Sequence, residues 1–250
     1  MSDDLAAALA GAFVGGQLVE RLPESALADA DAVLALAGAA RISVPWLQAG
    51  WKIGATSAAA QAIMATDQPF FGPVFEPRLF EDGAVLDVPP GFRGFECEFA
   101  LRLGADLPAR DGGYDVASLR IAVDAVVPVI EIVATRQRLD GMGNARLAQA
   151  DFGFCHGLVL GTPLAPPPLD DLGAVSVRAL VDDVEVGRGT AADVLGHPLH
   201  ALAWLTAQDL TLRAGHLVST GTCTGLAKPL SGQVAVADFG SFGRVGFTAG

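Results

Sequence analysis

The chain has 250 residues, a formal net charge of −12 and a hydrophobic content of 51%. Such an acidic chain repels phosphate backbones, which excludes nucleic acid as a partner, although a small anionic substrate responds to the local charge of its pocket. The apolar stretch 5–19 contains glycines and follows two aspartates, so it predicts neither a signal peptide nor a membrane-spanning helix. We therefore expect a soluble, cytoplasmic protein without a membrane partner.

The first predicted elements are helical. Apolar residues near a 3.6-residue period predict two helices over 4–40. A short strand over 51–54 follows, and then a helix over 57–64 with Ser57 as its N-cap. The segment 68–76 contains two prolines and a glycine, which predicts a loop.

The remaining predicted elements are mostly strands. They comprise strands over 84–88, 96–103, 126–133 and 157–161, a hairpin over 175–186, helices over 114–125 and 198–208, and a strand-rich tail over 216–247. Strands and helices do not alternate regularly, which disfavours a doubly wound sheet. The predicted class is α+β, with one catalytic domain over 1–250 that has a mainly helical part (1–75) and a β-rich body (76–250).

Two glutamates occupy one face of the predicted strand 96–103. Glu96 and Glu98 alternate with apolar neighbours, so their backbones stand about 7 Å apart on the same face. Converging carboxylates repel each other unless a cation or a proton lies between them, and their oxygens suit Mg²⁺ or Mn²⁺. A motif this short is also compatible with an ordinary solvated strand face.

A third glutamate, Glu131, lies inside the apolar run 126–133. Burial of an unpaired carboxylate is costly, so Glu131 needs a cation, hydrogen-bond donors or a proton, unless it reaches solvent from an edge strand. If Glu131 meets Glu96 and Glu98, the three form an open metal site with positions left for water and substrate.

Lys52 and a glycine- and hydroxyl-rich loop are further candidates. Lys52 lies among apolar residues, which favours a partly buried amine with a lowered pKa, suited to proton transfer, although a surface lysine with a buried stem is the alternative. The amides and hydroxyls of loop 219–225 could bind a substrate carboxylate, although a plain turn would look the same.

Several of these segments together resemble a known family. The chain resembles the 2-keto-4-pentenoate hydratase and 4-oxalocrotonate decarboxylase family of the fumarylacetoacetate hydrolase superfamily. The resemblance covers nearly the whole chain and is carried by GWKIGATS (50–57), FECEFA (95–100), EIV (131–133), Asp151 before GLVLG (157–161), and AGHLV (214–218). It implies a β-rich roll or sandwich of the fumarylacetoacetate hydrolase type, a bound Mg²⁺ or Mn²⁺, and a homo-oligomer.

The resemblance also implies roles for particular residues. The metal ligands would be Glu96, Glu98 and Glu131; the catalytic residues Lys52 and Asp151; and the substrate-binding residues Thr222 and Thr224. Two positions depart from the family pattern. Phe70 stands where hydratases often carry an acid, and Phe152 replaces the Asn of an Asp-Asn pair.

The leading functional prediction is a metal-dependent lyase that hydrates a 2-hydroxy-2,4-dienoate of the 2-keto-4-pentenoate type to a 4-hydroxy-2-oxo acid. Its partner would be a small 2-oxo acid, and the homo-oligomer could also meet a decarboxylase or hydratase partner. The alternatives are a decarboxylase of a 4-oxalocrotonate-type acid, an acylpyruvate C–C hydrolase, and a non-catalytic partner subunit on the same fold. An inactive subunit is expected to lose metal ligands first, and all three glutamates are present.

Overall fold

A computed structural model describes residues 2–250 of the chain. The helices are α1 (Ser2–Gly15), α2 (Ala30–Ser43), α3 (Ala58–Ile63), α4 (Val116–Ala122), α5 (Ala145–Ala150) and α6 (Pro198–Thr206). The strands are β1 (Gln48–Gly54), β2 (Phe70–Phe75), β3 (Leu79–Glu81), β4 (Ala84–Leu86), β5 (Phe92–Leu103), β6 (Val123–Ala134), β7 (Cys155–Leu160), β8 (Ser176–Val181), β9 (Val184–Thr190), β10 (Leu217–Thr222), β11 (Val234–Asp238) and β12 (Arg244–Ala249). Within residues 2–250, no helix has the length and apolar character needed to cross a bilayer.

The strands form two sheets. The larger has the order β2-β1-β10-β5-β6-β7-β3, and the smaller has the order β4-β12-β11-β8-β9. Most neighbouring strands are antiparallel, while the pairs β1–β10, β3–β7 and β4–β12 are parallel. Helices therefore join mixed sheets without regular alternation, and the predicted α+β class is confirmed.

One face of strand β5 packs in the hydrophobic core, and the opposite face carries Glu96 and Glu98. Phe95 and Phe99 are fully buried. Phe95 contacts the ring of Phe247 in β12, and Phe99 contacts the ring of Phe239, directly after β11; both strands belong to the smaller sheet. Because side chains alternate along a strand, the intervening glutamates point to the opposite face of β5. The core thus fixes the direction in which the carboxylates point.

The N-terminal helices pack on a second apolar cluster beside β2. Phe13 of α1 and Leu36 of α2 are buried in this cluster, and Phe13 stacks on Phe152 with ring centroids 4.6 Å apart. Helix α3 begins as the sequence predicts, because the side chain of Ser57 accepts a hydrogen bond from the amide of Ala60 at 3.2 Å.

The prediction of a loop over 68–76 is wrong, because Phe70–Phe75 form strand β2, which pairs antiparallel with β1. Pro73 is compatible with a strand here because β2 lies at the edge of the larger sheet, where one side of its backbone needs no strand partner. Gly72 fits because a Cβ at this position would collide with the carbonyl oxygen of Phe152. The helix predicted over 114–125 is also shorter, since strand β6 already begins at Val123.

Candidate metal centre and its cavity

The pairing of β5 with β6 brings the three glutamates together. Glu96 lies directly opposite Glu131 in this antiparallel pair, and Glu98 is two residues farther along β5. Directly paired residues point to the same face of a sheet, as do residues i and i+2 of one strand. One carboxylate oxygen of each glutamate lies within 4.8 Å of those of the other two.

The protein supplies few hydrogen-bond donors to the oxygens of these three carboxylates. Glu98 and Glu131 are fully buried, while Glu96 is partly accessible from a cavity. Glu98 Oε1 and Glu131 Oε2 are buried without a hydrogen-bond donor among residues 2–250, and the only cation beside Glu131 Oε1 in this part of the chain is the Lys52 ammonium group, 3.1 Å away. Unpartnered oxygen atoms of hard anionic ligands, converging on one point, fit a divalent cation such as Mg²⁺, Mn²⁺ or Ca²⁺.

The protonation behaviour of the glutamates follows from their burial. Burial raises the pKa of Glu96 to about 7, because the nearby charge of Lys52 offsets the loss of solvent only in part. Burial and repulsion from Glu131 raise the pKa of Glu98, and burial also raises that of Glu131. A cation among them would favour the charged forms.

Lys52 of β1 is the cation that the protein itself supplies. It is 3% exposed, and its Nζ lies 3.1 Å from Glu131 Oε1. Burial lowers the pKa of Lys52, but attraction to the carboxylates, that of Glu131 foremost, outweighs burial and holds the pKa above its ordinary value. The predicted burial is therefore observed, whereas the predicted lowering of the pKa is wrong.

Strand β10 orients Glu98. Ser219 Oγ donates a hydrogen bond to Glu98 Oε2 at 2.5 Å, and the amide of Gly221 donates to the same oxygen at 2.9 Å. The other oxygen of Glu98 is left free to bind a cation. The sequence pointed to loop 219–225 but not to Ser219, because the hydrogen bond depends on the long-range pairing of β10 with β5.

A cavity of about 440 Å³ adjoins the carboxylates, a volume typical of small-molecule sites. Lys52, Glu96 and Thr222 line it, whereas Thr224 does not. The Thr222 hydroxyl accepts a hydrogen bond from the amide of Thr224 and lies 3.2 Å from the carbonyl of Gly225. The structure thus places Thr222 at the cavity, and its role in substrate binding stays a prediction.

Asp151 lies away from the cavity wall and forms a buried ion pair. Its Oδ1 accepts from Arg136 Nε at 2.5 Å, and its Oδ2 accepts from the Arg136 amide and from Gln137 Nε2. The guanidinium of Arg136 also donates to the carbonyls of Asp151 and Cys155. Asp151 is therefore fully buried with hydrogen-bond donors at both carboxylate oxygens, which suits a positioning residue better than a proton donor to substrate.

The ion pair of Arg136 and Asp151 lies next to a strained turn, residues 152–154, that reaches the cavity. Phe152, Gly153 and Phe154 have φ values of 53°, 65° and 58°, a left-handed conformation that is unfavourable for phenylalanine. Gly153 and Phe154 line the cavity, while Phe152 turns into the N-terminal apolar cluster. The replacement at Phe152 thus changes the packing behind the site.

Phe70 is a wall of the cavity itself. Its ring lies 5.2 Å from Lys52 Nζ, close enough for a cation–π contact. A Cβ on Gly54 would collide with this ring, so the glycine of the GWKIG segment makes room for Phe70. The sequence signals this position only through its departure from the family pattern.

Comparisons with known proteins agree with this geometry. Residues 53–248 match the family described as fumarylacetoacetate (FAA) hydrolase C-terminal. The 2-keto-4-pentenoate hydratase of Paraburkholderia xenovorans is 31% identical over 241 residues, which cover 91% of this chain and 86% of that protein. The 2-oxo-hept-4-ene-1,7-dioate hydratase of Escherichia coli is 29% identical over 209 residues, which cover 78% of this chain and 76% of that protein.

A solved structure shares the fold over nearly the whole chain. The 4-oxalocrotonate decarboxylase from Pseudomonas putida G7, in complex with magnesium and adipate, superposes with a TM-score of 0.87 at 21% identity and covers 99% of this chain and 97% of its own. The same decarboxylase was also solved with calcium and acetate. The family match over residues 53–248 confirms the resemblance seen in the sequence: the chain belongs to the fumarylacetoacetate hydrolase family.

Proposed function

We propose that the chain is a hydro-lyase that adds water to a 2-hydroxy-2,4-dienoate, with a divalent cation held by Glu96, Glu98 and Glu131. The observation that carries the proposal is the convergence of three carboxylates, two of them fully buried, beside a cavity, where the protein supplies few hydrogen-bond donors to their oxygens. The chain is an enzyme of the hydro-lyase or carboxy-lyase type, as its hydratase relatives and its decarboxylase neighbour indicate.

Mg²⁺ or Mn²⁺ is the proposed cation. Its support is the all-oxygen donor set, together with the magnesium and calcium in the solved structures of the decarboxylase. When bound, such an ion would supply Lewis acidity toward the carboxylate and 2-oxo oxygens of the substrate. It would also neutralise the net negative charge that three glutamates and one lysine leave at the site.

The proposed reaction moves protons at defined carbon atoms. The substrate loses the proton of its 2-hydroxyl group and gains one at C5, which gives a 2-oxo-3-enoate. Water then adds its hydroxyl to C4 and a proton to C3, which gives the 4-hydroxy-2-oxo acid. Lys52 lines the cavity and stays protonated beside Glu131, so its role is to hold the substrate's developing negative charge and to donate a proton.

Decarboxylation of a 4-oxalocrotonate-type acid is the second candidate. One observation favours it: the structural match to the decarboxylase over 99% of the chain. Loss of CO₂ requires stabilisation of negative charge at the 2-oxo group but no activation of water. For an acylpyruvate hydrolase or a non-catalytic subunit the described residues offer no comparable support.

We also propose a cytoplasmic homo-oligomer that acts on a small organic acid. The names of the bacterial hydratase relatives support the class of substrate.

Turnover and metal binding together test the proposed function. Protein loaded with Mg²⁺ or Mn²⁺ should consume 2-hydroxypenta-2,4-dienoate, with loss of diene absorbance and formation of 4-hydroxy-2-oxopentanoate. Glu98→Gln should abolish both turnover and calorimetric metal binding, whereas the control Glu81→Gln, which changes an exposed glutamate of β3, should preserve both. Metal binding that needs Glu98 without any hydration would favour the decarboxylase, and metal binding that survives Glu98→Gln would contradict the proposed site.

A further inference from the structure

The cavity beside the carboxylates has one charged end and a mostly apolar remainder. Lys52 and Glu96 mark the end next to the candidate metal centre. The remaining wall is supplied by α3, by the turn that contains Phe154, and by the loop after β10. The larger apolar side chains that line it include Ile63, Met64, Phe70, Met142, Phe154 and Leu226.

The other two charged residues of the wall are already engaged. Arg188 Nε and Nη2 donate to the two carboxylate oxygens of Glu185 at 2.8 and 2.6 Å. Asp193 Oδ2 accepts hydrogen bonds from the amide and the hydroxyl of Thr190 at 2.7 and 3.2 Å. Both cations that line the cavity, Lys52 and Arg188, therefore have an anionic partner already, and a second substrate carboxylate would have to displace Glu185 from Arg188.

Phe70 extends the apolar surface up to Lys52. Its ring covers Gly54 so closely that no side chain fits there, and it is 7% exposed. The wall beside Lys52 thus offers contact surface to carbon atoms close to the reacting end of a bound acid. A carboxylate placed against this surface would lose its water without gaining a donor.

We propose that this apolar wall selects substrates with one carboxylate and an extended alkyl or aryl tail, and that it rejects dicarboxylates. The inference deepens the proposed function, on which it rests for the position of the substrate's 2-oxo acid end. It favours hydration of an alkyl-substituted dienoate over decarboxylation of a dicarboxylic acid. Phe70 and Leu226 are the specificity-determining residues of the wall.

The binding of unreactive acids tests the preference without turnover. Saturated 2-oxo acids have the same metal-binding end but no alkene to hydrate, so calorimetry on the Mg²⁺-loaded protein can compare 2-oxobutanoate, 2-oxohexanoate and 2-oxoadipate. Each added methylene buried against the wall should tighten binding by about fourfold. We expect 2-oxohexanoate to bind at least about tenfold more tightly than either 2-oxobutanoate or 2-oxoadipate.

Charge introduced at the wall should change the preference. Leu226 lies at the cavity and is 40% exposed, so Leu226→Lys can place an ammonium group there without burial of the whole side chain. Leu230→Lys is the matched control, because Leu230 is 70% exposed and does not line the cavity. Leu226→Lys should improve binding of 2-oxoadipate at least about tenfold relative to 2-oxohexanoate, and Leu230→Lys should leave the ratio unchanged. Ile63→Lys, at another exposed position of the wall, replaces Leu226→Lys if that variant does not fold.

Two outcomes overturn the inference. One is that the unaltered protein binds 2-oxoadipate as tightly as 2-oxohexanoate, or more tightly. Loss of that binding in Arg188→Gln would show that Arg188 leaves Glu185 to bind the second carboxylate. The other is the same affinity for the short and long monocarboxylates. Failure of the proposed function looks different: the preference for 2-oxohexanoate persists, while 2-hydroxypenta-2,4-dienoate and its alkyl-substituted analogues are not hydrated.

Discussion

Lys52 balances part of the charge of three carboxylates, and its replacement should slow the proposed reaction. Lys52→Met keeps a stem of similar length but removes the ammonium group 3.1 Å from Glu131 Oε1. Because the group would stabilise charge and move a proton, we expect kcat for dienoate hydration to fall about 10²- to 10⁴-fold. Binding of Mg²⁺ should persist, since the three carboxylates remain.

The other lysine of the chain provides the control. Lys228 Nζ lies 3.4 Å from the carbonyl of Phe92, outside the cavity, so Lys228→Met should retain the kcat of the unaltered protein. Equal kcat values for Lys52→Met and the unaltered protein would remove Lys52 from the proposed chemistry.

Ser219 orients the carboxylate of Glu98, so its replacement should weaken the binding of Mg²⁺. Ser219→Ala removes the hydroxyl that donates to Glu98 Oε2 and leaves this carboxylate free to rotate. Loss of such an orienting contact typically weakens metal binding about 10- to 100-fold. The Mg²⁺ dissociation constant, measured by calorimetry, should rise by that factor.

A neighbouring hydroxyl separates orientation of Glu98 from general disturbance of β10. Thr220 Oγ1 donates to the carbonyl of Phe99 and does not contact a glutamate side chain, so Thr220→Val should lower stability without a comparable loss of metal affinity. If both variants weaken Mg²⁺ binding equally, Ser219 has no specific role at Glu98.

At the scale of elements, the turn 152–154 depends on the ion pair behind it. Asp151→Ala leaves the guanidinium of Arg136, which is 3% exposed, without its carboxylate partner. Removal of one member of a buried ion pair costs about 3–5 kcal/mol, because the remaining charge stays buried. Urea unfolding should show a loss of that size, and the turn should lose its defined position at the cavity.

An exposed ion pair is the matched control. Arg102 and Asp124 lie 2.7 Å apart with side chains 36% and 45% exposed, so Asp124→Ala should cost less than about 1 kcal/mol. If Asp151→Ala instead keeps normal stability but loses activity, Asp151 is a catalytic residue, as the family resemblance implies, and not a positioning residue.

The elements also show what a single sequence can predict. Strand β5 and the shared face of Glu96 and Glu98 are predictable, because strict alternation of apolar and polar residues is a local pattern. The identity of β2 is not, because Gly72 and Pro73 are loop formers, and only pairing with β1 and close contact with Phe152 make them suitable for a strand. The register that places Glu96 opposite Glu131 is likewise a property of two distant segments.

The residues of the site are likewise only partly predictable from the sequence. The costs of burying Glu131 and Lys52 can be read from their apolar neighbours in the sequence, and both side chains are indeed buried. The partners of Asp151 cannot be read in this way, because Arg136 reaches it through the packing of α5 and the turn against β6. Family resemblance supplied the ligand set; it did not supply the direction of the Lys52 pKa shift, which results from the sum of three nearby carboxylates.

At the scale of the whole molecule, the distribution of charge matters more than its total. The net charge of −12 opposes an anionic substrate, and the site itself adds three carboxylates against one ammonium group. Substrate binding is therefore expected to follow binding of the cation, which makes the end of the cavity near Glu96 attractive to an acid. The apolar wall then acts on the uncharged part of the same substrate.

The stability of the whole protein should depend on pH through His156, which belongs to neither the cavity nor the carboxylate cluster. Burial, with repulsion from Arg78 and Arg136, lowers the pKa of His156 from 6.5 to about 3. Between these values the unfolded chain binds a proton that the folded chain does not, so this histidine lowers the free energy of unfolding as the pH falls. His156→Gln keeps a polar side chain but removes the titration.

Urea unfolding at several pH values from about 6 to about 4 measures the effect. The stability of the unaltered protein minus that of His156→Gln should decrease by on the order of 1 kcal/mol for each unit of pH, while the titrations shared by both proteins cancel in the difference. A difference for His156→Gln that stays constant over this range would mean that the folded protein accepts a proton at His156, which requires the packing of Arg78 and Arg136 around it to open in acid.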